Sequence, residues 1–445
     1  MAAAVLPAGA QGVEPGVIEP RGVPGSPVFA GERLLWTESV GTNVDIWSGA
    51  PGRPVERVQR VPFEPYGAGA VLPWLAASPS LALLSRFAYE QGRSNEGTVP
   101  AFTDHHVGPL SGPLESVAWC IGRNGPNAPR PADVWGEAYV YRECDQGFGH
   151  VELRDTAAEP MSPARALGQD GKAPRIAGRF VAWRAYDIVV YDRVADAEVY
   201  RVPSLLGPTH ALDLQEDGKV ALAFEPDTST GEVVVGWASP EEPYLHRLAL
   251  PRRDMYDVRI ADDRIAFQGG RRGFNLSVSR ADVGIANLDG AFRVVASNTD
   301  AFRYGQSFDF DGEQLVWREF GCEQRRLVVR DADAAGTAPG GATRCPLRLL
   351  RRPVVRRGVA LLHMGCGAYK PPCGFRTDLR IVGHGGGRAS DTVYGLRNPV
   401  RARLTARARR LLRRHGKLKV RATVRLLDAA SREQIRRATI RLRRG

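Results

Sequence analysis

The chain is a long series of short apolar runs, each entered through a turn of Gly, Asp, Asn or Ser and closed by a polar residue. The stretch AGRFVAWRAYDIVVYDR, residues 177–193, holds two such runs split by a polar break. Its pattern recurs as VFAGERLLWTE from Val28, LAASPSLALLSR from Leu75, DVWGEAYVYRE from Asp133 and RIAGRFVAWRA from Arg175. It continues as DLQEDGKVALAFE from Asp213, VRIADDRIAFQGG from Val258, DFDGEQLVWRE from Asp309 and VVRRGVALLHMG from Val354. Spacings run from 38 to 58 residues. Within a run, Phe180 and Ala182 fall in one register and Val181 and Trp183 in the other, so both faces are apolar. A strand with two apolar faces is covered on both sides. No window of this body sustains a helical period.

A third run follows most hairpins, as in DIVVYDR at Asp187, and a fourth closes the unit, as in EVYRV at Glu198. Four short strands every forty-odd residues are the signature of a β-propeller blade. One such sheet cannot bury both faces alone, but packing between two neighbours in a closed ring does so and removes open edges. The expected fold is therefore all-β: a propeller of seven or eight four-stranded blades over residues 26–396. Eight units are counted. The one near Leu75 is the weakest, which leaves seven as the alternative.

From Pro399 the pattern changes to clean alternation. VRARLT sets Val400, Ala402 and Leu404 against Arg401 and Arg403. KLKVRATVRLL places Leu418, Val420, Ala422, Val424 and Leu426 on one face and Lys417, Lys419, Arg421 and Arg425 on the other. ATIRLR repeats the scheme, with Arg441 and Arg443 outward, and ARARRLLRRH between the first two strands reads as a short helix. Residues 397–445 are thus expected to form a small β module with one short helix. At this size, one apolar face needs something to dock on, most simply the propeller.

The units resemble the WD40-like and TolB-type propeller repeats of secreted bacterial proteins, although the Trp-Asp and Gly-His signatures of eukaryotic WD40 repeats are absent. The tail resembles the short Ig-like β modules that end many bacterial surface proteins. The resemblance implies an exported binding protein.

Charge divides the chain in the same place. Its net charge is +12, yet residues 398–445 hold 17 Lys and Arg against Asp428 and Glu433. The tail therefore carries +15 and everything before it −3. Only five basic residues outside arginine occur, all Lys, so part of the arginine excess reflects codon usage. The aligned cations Arg401, Arg403, Lys417, Lys419, Arg421, Arg425, Arg441 and Arg443 form an anion-binding surface. No aromatic residue stands among them to stack bases, so an anionic envelope polymer is the expected partner and nucleic acid is not.

The N-terminus has the small-x-small form of a signal-peptidase site at Ala8-Gly9-Ala10, without a basic n-region. Residues 1–25 are read as a leader, the remnant of a signal peptide. The alternative is an Ala/Gly/Pro leader of a cytosolic protein. No run of eighteen apolar residues occurs, so no transmembrane helix is expected.

On the propeller reading, Cys144, Cys322 and Cys366 each follow a second strand. Cys120, Cys345 and Cys373 lie close by in sequence. Three local disulfides are expected, 120–144, 322–345 and 366–373, and with them an oxidising compartment.

Motifs of chemistry are weak. GHGGGR at Gly383 contains a string used for oxyanion holes, but no G-x-S-x-G turn accompanies it. DTSTGEVVVGW at Asp227 is read as a hairpin. His363, Cys366, Cys373 and His384 could formally hold zinc, though the long gap between the cysteines favours a disulfide. His105 and His106 are adjacent and on a strand point to opposite faces. DFDGE at Asp309 starts like a calcium loop, but the alignment makes it a hairpin turn.

No catalytic, cofactor or metal residues are nominated. The expected role is a non-catalytic binding or scaffold propeller at the cell envelope, taking a protein or glycan at a propeller face. The alternative is a propeller enzyme acting on glycans or peptides at the channel mouth. Converging Asp, Glu and His in the channel would favour the enzyme, and a lining of small and apolar residues the binder.

Overall fold

The computed structural model describes residues 16–22, 24–40, 43–62, 71–90, 99–121, 132–145, 148–155, 164–169, 171–203, 209–226, 232–250, 255–271, 279–301, 308–320, 325–334, 336, 348–349, 353–365, 374–395, 400–427 and 433–444. These form two compact units. The first is a β-propeller of seven four-stranded antiparallel blades.

The innermost strands of blades 1 to 7 are Val28–Ala30, Val71–Ala77, Ala132–Trp135, Lys172–Ala177, Thr209–Leu214, Met255–Ala261 and Phe308–Phe310. Each pairs with the next strand through a tight hairpin, such as Ala177 opposite Phe180 across Gly178, whose φ of 55° is easy only for glycine. An apolar cluster fills each of the seven blade boundaries. Between blades 4 and 5, for instance, Val190, Tyr200 and Val202 meet Leu212, Leu222 and Phe224. That contact explains the absence of inside/outside alternation in the sequence, since each sheet has a neighbour on both faces.

The ring closes through a strand that the sequence reading had assigned to the leader. Gly16–Ile18 pairs with Arg325–Asp331 as the outermost strand of blade 7, Ile18 opposite Leu327. Ile18 is buried with Leu34, Trp36, Val316 and Leu327 at the boundary of blades 7 and 1. Pairing the propeller's first strand with its last blade closes the ring. Residues 1–15, with the small-x-small site, lie outside the described residues.

The eighth unit is corrected as well. The hairpin Val354–Arg356 and Val359–Leu362 forms as its pattern requires, with Val355 opposite Ala360. It belongs not to a blade but to a seven-stranded sheet in the second unit. Along that sheet run Val393–Gly395, Gly374–Ile381, Lys417–Leu427, Glu433–Arg444, Val354–Arg356, Val359–Leu362 and Val400–Arg403. The sheet therefore starts well before residue 397. A hairpin pattern reports local pairing and is silent on which sheet receives it.

The extra strands also supply the tail's core. Val355, Ala360, Leu362, Leu379 and Ile381 bury against Val400, Ala402, Leu418, Val420, Ile440 and Leu442. Helix α1, Ala406–His415, adds Ala408 and Leu412 to the same cluster, with Leu411 partly buried against it. Thr405 caps its N-terminus by accepting from the Ala408 N–H, and Gly416 ends it in the left-handed region at φ 67°. Arg413, Arg414 and His415 in the last turn suit the negative end of the helix dipole.

Candidate functional site

Inside the propeller, the innermost strands of all seven blades line one cavity of about 800 Å³. Its neck is built from one position repeated around the ring, two residues before the pair that closes each inner hairpin. Blades 3 to 7 place Asp133, Arg175, Asp213, Arg259 and Asp309 there, and blades 1 and 2 place Val28 and Ala76. Acid and base alternate over five consecutive blades.

Each acid reaches forward to the next blade. Asp133 Oδ2 accepts the Ile176 N–H at 3.1 Å, Asp213 Oδ2 the Ile260 N–H at 2.9 Å, and Asp309 Oδ2 the Phe29 N–H at 2.9 Å. The bases reach forward too. Arg175 Nε donates to the Leu212 carbonyl at 2.8 Å and lies 3.7 Å from Asp213 Oδ1. Arg259 Nε donates to Asp309 Oδ1 at 2.7 Å, and its Nη1 donates to Asp257 Oδ1 at 2.7 Å. Both arginines are buried, and burial of a charge is tolerated only with partners of this kind. The neck charges are therefore committed to holding blade to blade.

The mouth is asymmetric. On blades 5 to 7 the lining includes Glu216, Asp217, Asp262 and Asp311, while blades 1 to 3 contribute Gly31, Pro79, Ser78, Gly136 and Trp135. Trp135 is exposed. Lys219 pairs with Asp217 and with Asp263 at 2.9 Å, neutralising part of the acidic arc. Asp311 accepts from the Glu313 and Gln314 N–H groups, so DFDGE is the hairpin turn that its alignment required.

The nearest approach to a nucleophile and base is Ser85 with His105, Ser85 Oγ 2.8 Å from His105 Nδ1. Ser85 borders the cavity, yet it is 1 % exposed and His105 0 %. Burial pushes the His105 imidazole down to about 4, so it is neutral near pH 7. Asp104 is bound instead to Arg86, at 2.8 Å from its Nε, and lies 3.4 Å from His106 Nε2. The two histidines thus face opposite sides of their strand, as the sequence implied. The pair is a sealed hydrogen bond of blade 2. The channel mixes carboxylates with small and apolar residues, so neither simple lining expected from the sequence is found.

In the second unit, Arg401, Arg403, Lys417, Lys419, Arg421, Arg441 and Arg443 are exposed and Arg425 is half-buried. The fold gathers most but not all of them. Lys417 lies opposite Arg443 and Lys419 opposite Arg441 in one hairpin. Arg401 and Arg403 stand on the edge strand, separated from that hairpin by two strands. GHGGGR lies in this unit, not between blade strands, and Gly383, Gly385, Gly386 and Gly387 all have positive φ. His384 there stacks on His415 with ring centres 4.8 Å apart.

The cysteine pairing lies outside the described residues. Only the backbones of Cys120 and Cys144 are described, in the strands Glu115–Ile121 and Ala138–Asp145. The same holds for the four-residue zinc alternative, of which Cys366 and Cys373 are not described. Among the described residues, no helix is long and apolar enough to cross a membrane.

No family model matches the chain, and no curated protein matches it.

Proposed function

We propose that this propeller is a non-catalytic binding or scaffold protein exported to the cell envelope, of the WD40-like and TolB-like kind. Commitment of the neck acids Asp133, Asp213 and Asp309 to cross-blade bonds carries the reading. Their bonds to the next blade account for these carboxylates as braces of the ring, with no chemistry on a ligand required of them. The Ser85–His105 pair is sealed from solvent in the same sense. What stays open at the mouth is an exposed Trp135 across from an acidic arc, a mixture of flat apolar surface and acceptors suited to holding a glycan or peptide. The alternative, a glycan- or peptide-cleaving enzyme at this mouth, would have to use Glu216, Asp217, Asp262 or Asp311.

The test incubates the full chain with envelope glycans and with a peptide library, and reads both retention and products by mass spectrometry. Retention of unaltered ligand, weakened by Trp135→Ala, is expected. A cleavage product lost in Asp217→Asn or Asp311→Asn would establish the enzyme instead. Protease shaving of intact cells, read with a tagged chain, checks the location separately.

A further inference from the structure

The open face of the C-terminal sheet repeats one chemical group across three strands. Arg380 stands opposite Arg421, Lys419 opposite Arg441 and Lys417 opposite Arg443. Like charges placed directly opposite across a ladder are destabilising. Surface sheets ordinarily relieve this with interspersed carboxylates; here the face carries Asp378 beside Arg380, which accepts from Thr392 Oγ1, and no carboxylate stands directly opposite any of the six cations. Among the described residues, none of these six cations has an ion-pair or hydrogen-bond partner on its side chain. The alternate positions, Leu418, Val420, Ala422, Ile440 and Leu442, are buried, so the cations cannot rotate inward to share the core's polar groups. The spacing is regular. Cations two residues apart on a strand are about 6.5 Å apart, and cross-strand pairs are about 5 Å apart.

We propose that this face docks a linear phosphodiester polymer of the envelope, an inference that rests on the exported location proposed above. A grid of fixed cations matches a flexible chain carrying one permanent charge per repeat, which can set successive phosphates on successive rows. A small multivalent anion would engage one row only. Each phosphodiester has two free oxygens that diverge, so one group reaches both members of a cross-strand pair, and arginine's fork grips such an oxyanion well. Nucleic acid shares the phosphodiester, but none of the six cations has an aromatic residue opposite it in the ladder, so bases gain nothing by stacking over these rows. The self-repulsion of the empty face and its affinity for a polyanion are the same physical fact.

The experiment titrates the full chain with poly(glycerol phosphate) of graded length, with oligo(dT) and with polygalacturonate at matched charge. Affinity is expected to rise with length and to fall with salt. The six cations, Arg380, Lys417, Lys419, Arg421, Arg441 and Arg443, give a log–log slope of about −4.2 at roughly 0.7 per phosphate neutralised. Lys419→Gln/Arg441→Gln is expected to flatten the slope by about 1.4 and weaken binding roughly tenfold at low salt. Its melting temperature should stay equal or rise, because a repulsive pair is removed. Arg401→Gln/Arg403→Gln, on the separate edge strand, should leave the slope near that of the parent. Equal or tighter binding of oligo(dT) or polygalacturonate overturns the assignment, as does a slope insensitive to Lys419 and Arg441, or no binding at low salt. A cytosolic location found by protease shaving would overturn the export reading while leaving the measured polymer preference intact.

Discussion

Replacing Asp309 is expected to loosen the propeller where its first and last blades meet. Its carboxylate makes two bonds that cross blade boundaries: Oδ2 accepts the Phe29 N–H of blade 1 at 2.9 Å, and Oδ1 accepts Arg259 Nε of blade 6 at 2.7 Å. Asp309→Ala leaves the half-buried Phe29 N–H without its acceptor, which costs about 1 kcal/mol. It also strips one partner from Arg259, whose side chain is 3 % exposed. Breaking a buried ion pair costs about 3–5 kcal/mol when the remaining charge has nothing else. Arg259 keeps Asp257 at 2.7 Å, so its share is smaller, and the two losses together come to about 3–5 kcal/mol.

Asp309→Asn retains an acceptor for Phe29 but not the charge, and about half that loss is expected. Arg259→Met should be costly alone and much less so beside Asp309→Asn, because the double variant leaves no unmatched charge at this corner. The assay is urea unfolding followed by tryptophan fluorescence, with Trp36, Trp47 and Trp317 buried on either side of the boundary as reporters. Strict additivity in the double variant, or a loss below about 0.5 kcal/mol in Asp309→Ala, would refute the brace.

Other expectations follow from the same geometry. His105 titrates at about 4 in the fold against 6.5 outside it, so stability is full above pH 6.5 and declines as pH falls toward 4. That decline amounts to roughly 3 kcal/mol, and urea midpoints of His105→Gln across this range should lack it. Removing residues 1–19 deletes the outermost strand of blade 7, and a lower melting temperature with self-association through the opened edge should show by calorimetry and gel filtration. Thr405→Ala removes the cap of helix α1 and should lower the stability of the C-terminal sheet by about 1 kcal/mol in thermal unfolding. Peptide mapping without reduction, on protein taken from its native compartment, is expected to recover the links 120–144, 322–345 and 366–373, and six free thiols would rule them out.

The blades were legible because each hairpin is apolar on both faces, and burial between neighbours demands that composition at every repeat. The limits of that reading are physical too. VVRRGVALLHMG at Val354 satisfies the hairpin rule as well as any blade does, and its destination depends on partners about 40 and 90 residues away, in Val400–Arg403 and Glu433–Arg444. Gly16–Ile18 is three residues long, too short to show a period, and only its pairing with Leu327 and Val329 makes it a strand. The neck charges were in plain view as the first letter of DVWG, RIAG, DLQEDG, RIADD and DFDG. They were passed over because a charged residue in a strand ordinarily marks the solvent side. Near the axis each sheet is flanked by a neighbouring blade, and the same residue is taken up in bonds to that neighbour.

The arginine content looks different once partners are counted by unit. A genome that favours arginine codons would enrich arginine in both units, and it does. Codon usage acts on the choice between arginine and lysine; it does not choose whether an acid stands beside either. In the propeller, acids are there: Arg60 binds Asp45, Arg86 binds Asp104, Arg326 binds Glu319 and Arg201 binds Glu198. These pairs take up charge, and the residues before 341 sum to −12 against +24 for those from 341 onward. In the C-terminal sheet Arg380, Lys417, Lys419, Arg421, Arg441 and Arg443 stand row upon row with no side-chain partner among the described residues. Mutation alone would supply acids to exposed positions there, where the backbone accepts almost any residue and an opposite charge would stabilise the ladder. Their absence at Lys417, Lys419, Arg421, Arg441 and Arg443 means that the sheet tolerates its own repulsion. A fold that keeps a destabilising surface usually keeps it for function. The polymer titration measures that trade directly, since the substitution that weakens binding is the one that should raise the melting temperature.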